Sequence, residues 1–186
     1  MANISQAFKD IVIPSEGVYS NDKADTGGET VYGIARNIDK DWDWGLVDYY
    51  KTQPNFPNNL NNPKILASAE SYYKKNYWDK MRLDEIKSQK VATEMFDIGI
   101  NMGISYGVKF AQIAANCLNK QGTLWSDIVE DGISGPATIS AINNAPEAEL
   151  LITLNCQQGQ RYIDICKANP KMEVFFLGWI RRCKIN

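Results

Sequence analysis

Residues 15–34 read SEGVYSNDKADTGGETVYGI, a run of carboxylates, hydroxyls, tyrosines and glycines set between segments that carry the apolar spacing of helices. Glu16, Asp25 and Thr30 follow the spacing E-x8-D-x4-T, which brings two carboxyls and a hydroxyl toward one cleft. Glycoside hydrolysis needs a protonated carboxyl to donate to the leaving oxygen, and often a second, ionised one to position water or stabilise positive charge. Glu16 follows an amphipathic helical run, so it meets the negative end of a helix dipole. Tyr19 and Tyr32 flank it and are expected to desolvate it and to contact substrate. Both effects raise a carboxyl pKa, which suits a general acid. Asp25 is the expected ionised partner, with Thr30 helping to hold the water, although Asp22 and Glu29 lie close by as alternatives. Asp22, Asp25 and Glu29 lack the D-x-D-x-D-G loop of a calcium site, so no metal is expected.

Composition removes most other chemistries. The 186 residues contain no histidine, which excludes Ser-His-Asp and Cys-His catalysis and histidine-ligated zinc. Carboxylates remain as the acid-base groups, and no cofactor is expected. Net charge is −2, with four Lys/Arg against eight Asp/Glu in residues 1–45, so no basic footprint for nucleic acid is present. The cysteines at 117, 156, 166 and 183 have no C-x-x-C spacing and read as buried thiols in apolar helices. At 44% hydrophobic residues a sizeable core is available. No run approaches the ~18 apolar residues of a membrane span, and no signal-peptide pattern opens the chain.

Helical spacing of Ile4, Phe8, Ile11 and Val12 predicts a first helix over residues 3–14, distorted or ended by Pro14. Short strands are expected around Tyr19 and over 30–34, and a helix over 42–51. Asn62-Pro63 reads as an N-cap with proline at the first helical position, starting a helix to about Trp78. Val91, Met95, Ile98 and Met102 mark a further helix whose glycines permit close packing. Asp97 and Asn101 are i,i+4 neighbours there, each able to hydrogen-bond a sugar or to serve as a structural polar pair. Helices over 105–119, from Pro136, from Pro146 to about residue 169, and at the C-terminus complete the pattern.

The strings E-G-V-Y (16–19) and N-D-x-x-D-x-G-G-E-T-x-Y-G-I (21–34) resemble glycoside hydrolase family 108, the N-acetylmuramidase or "secretion activator protein" family. Val18 stands where that family usually has a second glycine and Lys23 where it has proline. The E, D and T spacing is also similar to that of phage lysozymes, which favours Asp25 over Asp22. Y-W-D at 77–79, F-D-x-x-x-N-x-G at 96–103 and F-x-x-G-W-x-x-R at 175–182 extend the family resemblance almost to the C-terminus. D-G-x-x-G-P-x-T-x-x-A-I at 131–142 resembles peptidoglycan-binding modules, with Ser134 read as a surface position of its turn.

The expected architecture is therefore mainly α, lysozyme-like, with a very small β element beside the active-site segment. Residues 1–95 are expected to form the catalytic lobe and 96–186 a helical peptidoglycan-binding-like portion. The resemblance implies cleavage of the β-1,4 bond between N-acetylmuramic acid and N-acetylglucosamine in bacterial peptidoglycan, by Glu16, Asp25 and Thr30, with Tyr19, Tyr32 and Asn101 on the substrate. A catalytically inactive wall-binding module and a peptidoglycan lyase are the alternatives. Action at the periplasm or wall without a signal peptide implies non-standard export or release by lysis.

Overall fold

The computed structural model describes residues 1–22 and 26–183. It is mainly α-helical with one small antiparallel sheet, a lysozyme-like architecture. Two compact units are present, one of residues 3–79 and one of residues 80–186 together with Met1 and Ala2. The first two residues join the second unit through Ala2 N–H, which donates to the Ile86 carbonyl at 2.9 Å. The division at residue 95 that the sequence led us to expect lies within a helix.

The N-terminal unit opens with helix α1, residues 4–16, capped by the Asn3 side chain, which accepts from Ser5 N–H at 2.8 Å. It is α-helical at Ile4–Ala7 and Ile13–Glu16 with a π segment, Phe8–Val12, between. A proline ring collides with the carbonyl four residues back in a regular helix. Just before Pro14 the π segment opens that spacing, Ile13 N–H reaching the Phe8 carbonyl five residues back. The helix thus runs past Pro14 to Glu16, and Gly17, at φ +66°, turns the chain out of it.

Three two-residue strands follow: β1 (Tyr19–Ser20), β2 (Thr30–Val31) and β3 (Ile34–Ala35), antiparallel in the order β1-β2-β3. Tyr19 pairs with Val31 and Ser20 with Thr30, while Thr30 also pairs with Ala35 and Val31 with Ile34. The two residues between β2 and β3, Tyr32 and Gly33, both have positive φ (47° and 78°), as a type I′ hairpin demands. A tyrosine in that conformation is strained. Tyr73 secures it, its buried hydroxyl donating to the Tyr32 carbonyl at 2.9 Å.

Helix α2 (Trp44–Lys51) is capped by Asp43, and helix α3 spans residues 63–78, α-helical at Pro63–Tyr73 and π at Lys74–Trp78. Asn62 caps α3 by accepting from Lys64 and Ile65 N–H. The unit buries Phe8, Val12, Val31, Tyr32, Ile34, Val47, Ile65, Tyr73 and Trp78.

The second unit holds α4 (Gln89–Met102), α5 (Ile104–Leu118), α6 (Pro136–Asn144), α7 (Glu147–Ala168) and α8 (Glu173–Ile180). Gly103, at φ +99°, makes the break between α4 and α5. The two helices approach backbone to backbone, since a Cβ on Gly107 would stand 2.7 Å from the Met95 carbonyl and 3.2 Å from Gly99 N. The cysteines depart from expectation. All four are free, with Cys117 and Cys156 exposed and Cys166 and Cys183 half-buried. On α7 the buried stripe is Leu150, Leu154, Gln158 and Tyr162, and Cys156 and Cys166 fall beside it.

Candidate active site

Glu16 is the last residue of α1 and half-buried. Its carboxyl lies against the β2-β3 turn: a Cβ on Gly33 would stand 3.0 Å from Glu16 Oε2, 3.1 Å from its Cγ and 2.7 Å from the Tyr73 hydroxyl. Around that point α3 supplies three tyrosines. Tyr73 meets Tyr72 edge-on at 5.5 Å and Tyr77 at 5.6 Å between ring centroids. The Tyr72 hydroxyl donates to Asp39 Oδ1 at 2.5 Å, and Asp39 Oδ2 accepts from Ala35 N–H at 3.1 Å. Burial and then the Glu16 charge push the Tyr73 phenol far above its ordinary value, and burial and then Asp39 do the same for Tyr72. Burial, followed by Asp39, raises Tyr77. These phenols therefore stay protonated at neutral pH, with the Tyr73 and Tyr72 protons committed to the Tyr32 carbonyl and to Asp39 beside a carboxyl at a helix C-terminus.

The remaining expected residues are distributed differently. Thr30, half-buried in β2, donates through Oγ1 to the Gly28 carbonyl at 3.2 Å. Tyr19 lies in β1 with its ring edge-on to Phe56 at 4.8 Å. Its phenol is raised by burial and by a hydrogen bond to Glu29. Tyr32 is 1% exposed and donates to Asn61 Oδ1 at 3.3 Å, so its ring is core, and its carbonyl is what meets the Tyr73 hydroxyl. Asn101 belongs to the other unit, on α4. Asp25 lies outside the described residues.

Glu29, read as an alternative carboxylate, is committed elsewhere. It is 7% exposed and ion-paired to Arg36 and Lys51, each at 2.6 Å. Burial alone would raise it, but Lys51, Arg36 and Tyr19 together hold it below the ordinary carboxylate value. Sequence reasoning missed Gly33, Asp39, Tyr73 and Tyr77 as neighbours of the site. For the tyrosines the signal was the stripe at 72, 73 and 77, whose i, i+1, i+5 spacing reads equally as core; Gly33 and Asp39 carried none. Asp39 and Tyr72 also line a cavity of about 570 Å³ with Trp42 and Lys75.

A model of the family described as Glycosyl hydrolase 108 matches residues 9–103, and one described as Predicted Peptidoglycan domain matches residues 106–184. The chain belongs to glycosyl hydrolase family 108. With its second match, this family 108 protein is a peptidoglycan-acting glycoside hydrolase. No curated protein matches the sequence. Among solved structures, that of Brucella abortus SagA superposes with a TM-score of 0.62 at 22% identity, covering 97% of this chain and 88% of that one. At that identity the likeness is one of fold.

In the C-terminal part of this family 108 member, two of the strings prove to be built into hydrogen-bond centres. Gln112, 1% exposed, donates through Nε2 to Asp131 Oδ1, the Ile133 carbonyl and Thr138 Oγ1, and accepts from Gly132 N–H at 2.8 Å. A Cβ on Gly132 would stand 2.8 Å from the Ser105 carbonyl, so only glycine fits that turn. Ser134, read as a surface position, is 8% exposed. Asp97, read as a sugar ligand or structural pair, is 4% exposed; it accepts from Arg182 Nη2 at 2.8 Å and from Gln158 Nε2 at 2.9 Å. It is a structural anchor joining α4, α7 and the segment after α8.

Proposed function

We propose that this chain hydrolyses the β-1,4 bond between N-acetylmuramic acid and N-acetylglucosamine, with Glu16 as general acid. The observation that carries the reading is the seat of Glu16 at the end of α1, against Gly33 and the Tyr73 hydroxyl. A half-buried carboxyl there faces a helix dipole's negative end, which disfavours its ionised form and suits a proton-donating acid. Asp25 is the second carboxylate we assign, orienting water with help from Thr30, and Tyr19 and Asn101 are assigned to substrate contact. The hydrolytic chemistry is assigned to the N-terminal part of the chain and wall affinity to the C-terminal part. The place of action is accordingly the periplasm or cell wall.

Mass analysis of the products from purified peptidoglycan tests this reading. Reducing N-acetylmuramic ends are expected; anhydro-muramyl ends would replace the hydrolase by a lyase, and bound but uncut wall would reduce the protein to a binding module. Asp25→Asn compared with Asp22→Asn decides the second carboxylate. An inverting reaction is the expected outcome, with about 6.5–9.5 Å between the two carboxyls.

A further inference from the structure

Arg161 on α7 has its guanidinium carbon 5.0 Å from the centre of the Tyr106 ring. It is half-buried, and among the described residues no carboxylate pairs with it. By contrast, Arg36 and Arg182 each hold a carboxylate at 2.6–2.8 Å. With Asn101, Tyr106, Tyr162 and Trp179, Arg161 lines a cavity of about 240 Å³. The aromatic wall is fixed in place, Trp179 stacking on Tyr162 at 5.4 Å with 21° between planes and on Phe175 at 5.8 Å. Asn101 directs its amide N–H groups at Asp97, to the carbonyl at 2.8 Å and to Oδ1 at 3.3 Å. Its own Oδ1 remains as an acceptor on an exposed side chain.

The cavity therefore presents a planar cationic fork, an amide acceptor and rigid aromatic faces. A guanidinium matches a carboxylate in two parallel hydrogen bonds, and a carbonyl acceptor nearby matches a peptide N–H. The volume lies below the roughly 300 Å³ at which pockets for whole small molecules begin, so it suits a chain end rather than a disaccharide. We infer that this cavity binds the free carboxylate end of a peptidoglycan stem peptide, with Arg161 pairing the carboxylate and Asn101 accepting a peptide N–H. The inference rests on the reading that the chain acts on peptidoglycan, but it concerns the peptide and not the glycan that is cut.

Calorimetric titration of the full-length protein separates the two. The probes are a soluble tetrapeptide stem, the same peptide with its carboxylates amidated, and peptide-free glycan chains. The free-carboxylate peptide should bind, and amidation should weaken it by about tenfold or more, the scale of a charge-assisted hydrogen bond. Arg161→Gln should cause a comparable loss with an unchanged unfolding midpoint, and Arg161→Lys a smaller one, because it keeps charge without the fork. Equal binding of free and amidated peptides, wild-type affinity in folded Arg161→Gln, or no peptide binding at all would each overturn the site. Should Arg161→Gln not fold, the comparison of free with amidated peptide on the wild-type protein still decides. Peptide binding without cleavage of peptide-free glycan would count against the muramidase reading and leave this site standing.

Discussion

Gly33 and Glu16 compete for one volume: any Cβ at position 33 would come within 3.0 Å of Glu16 Oε2 and 2.7 Å of the Tyr73 hydroxyl. The turn that fixes the β2-β3 hairpin is thus also the wall against which the acid rests.

Gly33→Ala is expected to disturb both. Its φ of +78° is left-handed, which costs an L-residue about 1–2 kcal/mol before any contact is counted. Urea denaturation should show at least that loss, and turnover on peptidoglycan should fall further than stability explains. Wild-type turnover in a folded Gly33→Ala protein would show that Glu16 does not depend on the turn.

Glu16→Gln keeps the size of the side chain and removes the donated proton. Turnover should drop by about 10² or more, the usual worth of general acid catalysis, with an unchanged unfolding midpoint. Clearance of purified wall at the native rate by this variant would remove Glu16 from the mechanism.

Glu29 makes stability depend on acid pH. Its folded pKa is held below the ordinary carboxylate value by Lys51, Arg36 and Tyr19 against the effect of burial. A depressed carboxylate contributes stability that is fully present above the unfolded value and is lost as pH falls through the folded one. The unfolding midpoint should therefore fall below about pH 4.5, and Glu29→Gln should flatten that limb. At pH 7 the same substitution should cost about 1–3 kcal/mol, because it weakens charge-assisted hydrogen bonds at a buried site.

Arg182→Met leaves the Asp97 carboxylate buried without its ion partner, Gln158 and Asn101 remaining as its donors. Removing one member of a buried pair costs about 3–5 kcal/mol, and chemical denaturation should report a loss toward that range. The double variant Arg182→Met, Asp97→Leu is expected to recover part of it, since no charge is then stranded. A loss below ~1 kcal/mol, the worth of an exposed pair, would mean that solvent reaches Asp97.

In the turn at 131–136, Ile133 is 68% exposed and Ser134 8%. Ile133→Glu is therefore the clean probe of wall affinity: pull-down on insoluble peptidoglycan should weaken with no change in folding. Ser134→Arg, by contrast, should lower stability through overpacking by about 1–3 kcal/mol. Unaltered pull-down by Ile133→Glu would assign the turn to structure alone.

Local signals were the legible ones. Asn62-Pro63 announced the start of α3, and the β-forming run at 30–34 lay where the hairpin forms, because caps and turns are decided by adjacent residues. Pro14 marked a helix either distorted or ended and did not say which, since the π segment before it leaves no mark in composition. Asp97 could not be told from a sugar ligand because its partner Arg182 lies 85 residues away, and nothing in i,i+4 spacing reports so distant a cation. For Glu16 the helix end was visible, whereas the Gly33 and Tyr73 neighbours depend on how a hairpin and α3 come together. That is tertiary information.

The π segment Phe8–Val12 gives α1 a reserve of length. A π turn holds one residue more than the α turn it replaces, so a one-residue deletion within it can be absorbed by reversion to α geometry, leaving Glu16 in phase at the cost of setting Pro14 against a carbonyl. The same deletion in α4, which is regular throughout Gln89–Met102, would turn every later side chain by about 100°. A one-residue deletion just before the acid is thus buffered by the helix that carries it, while one near the Asp97 anchor is not.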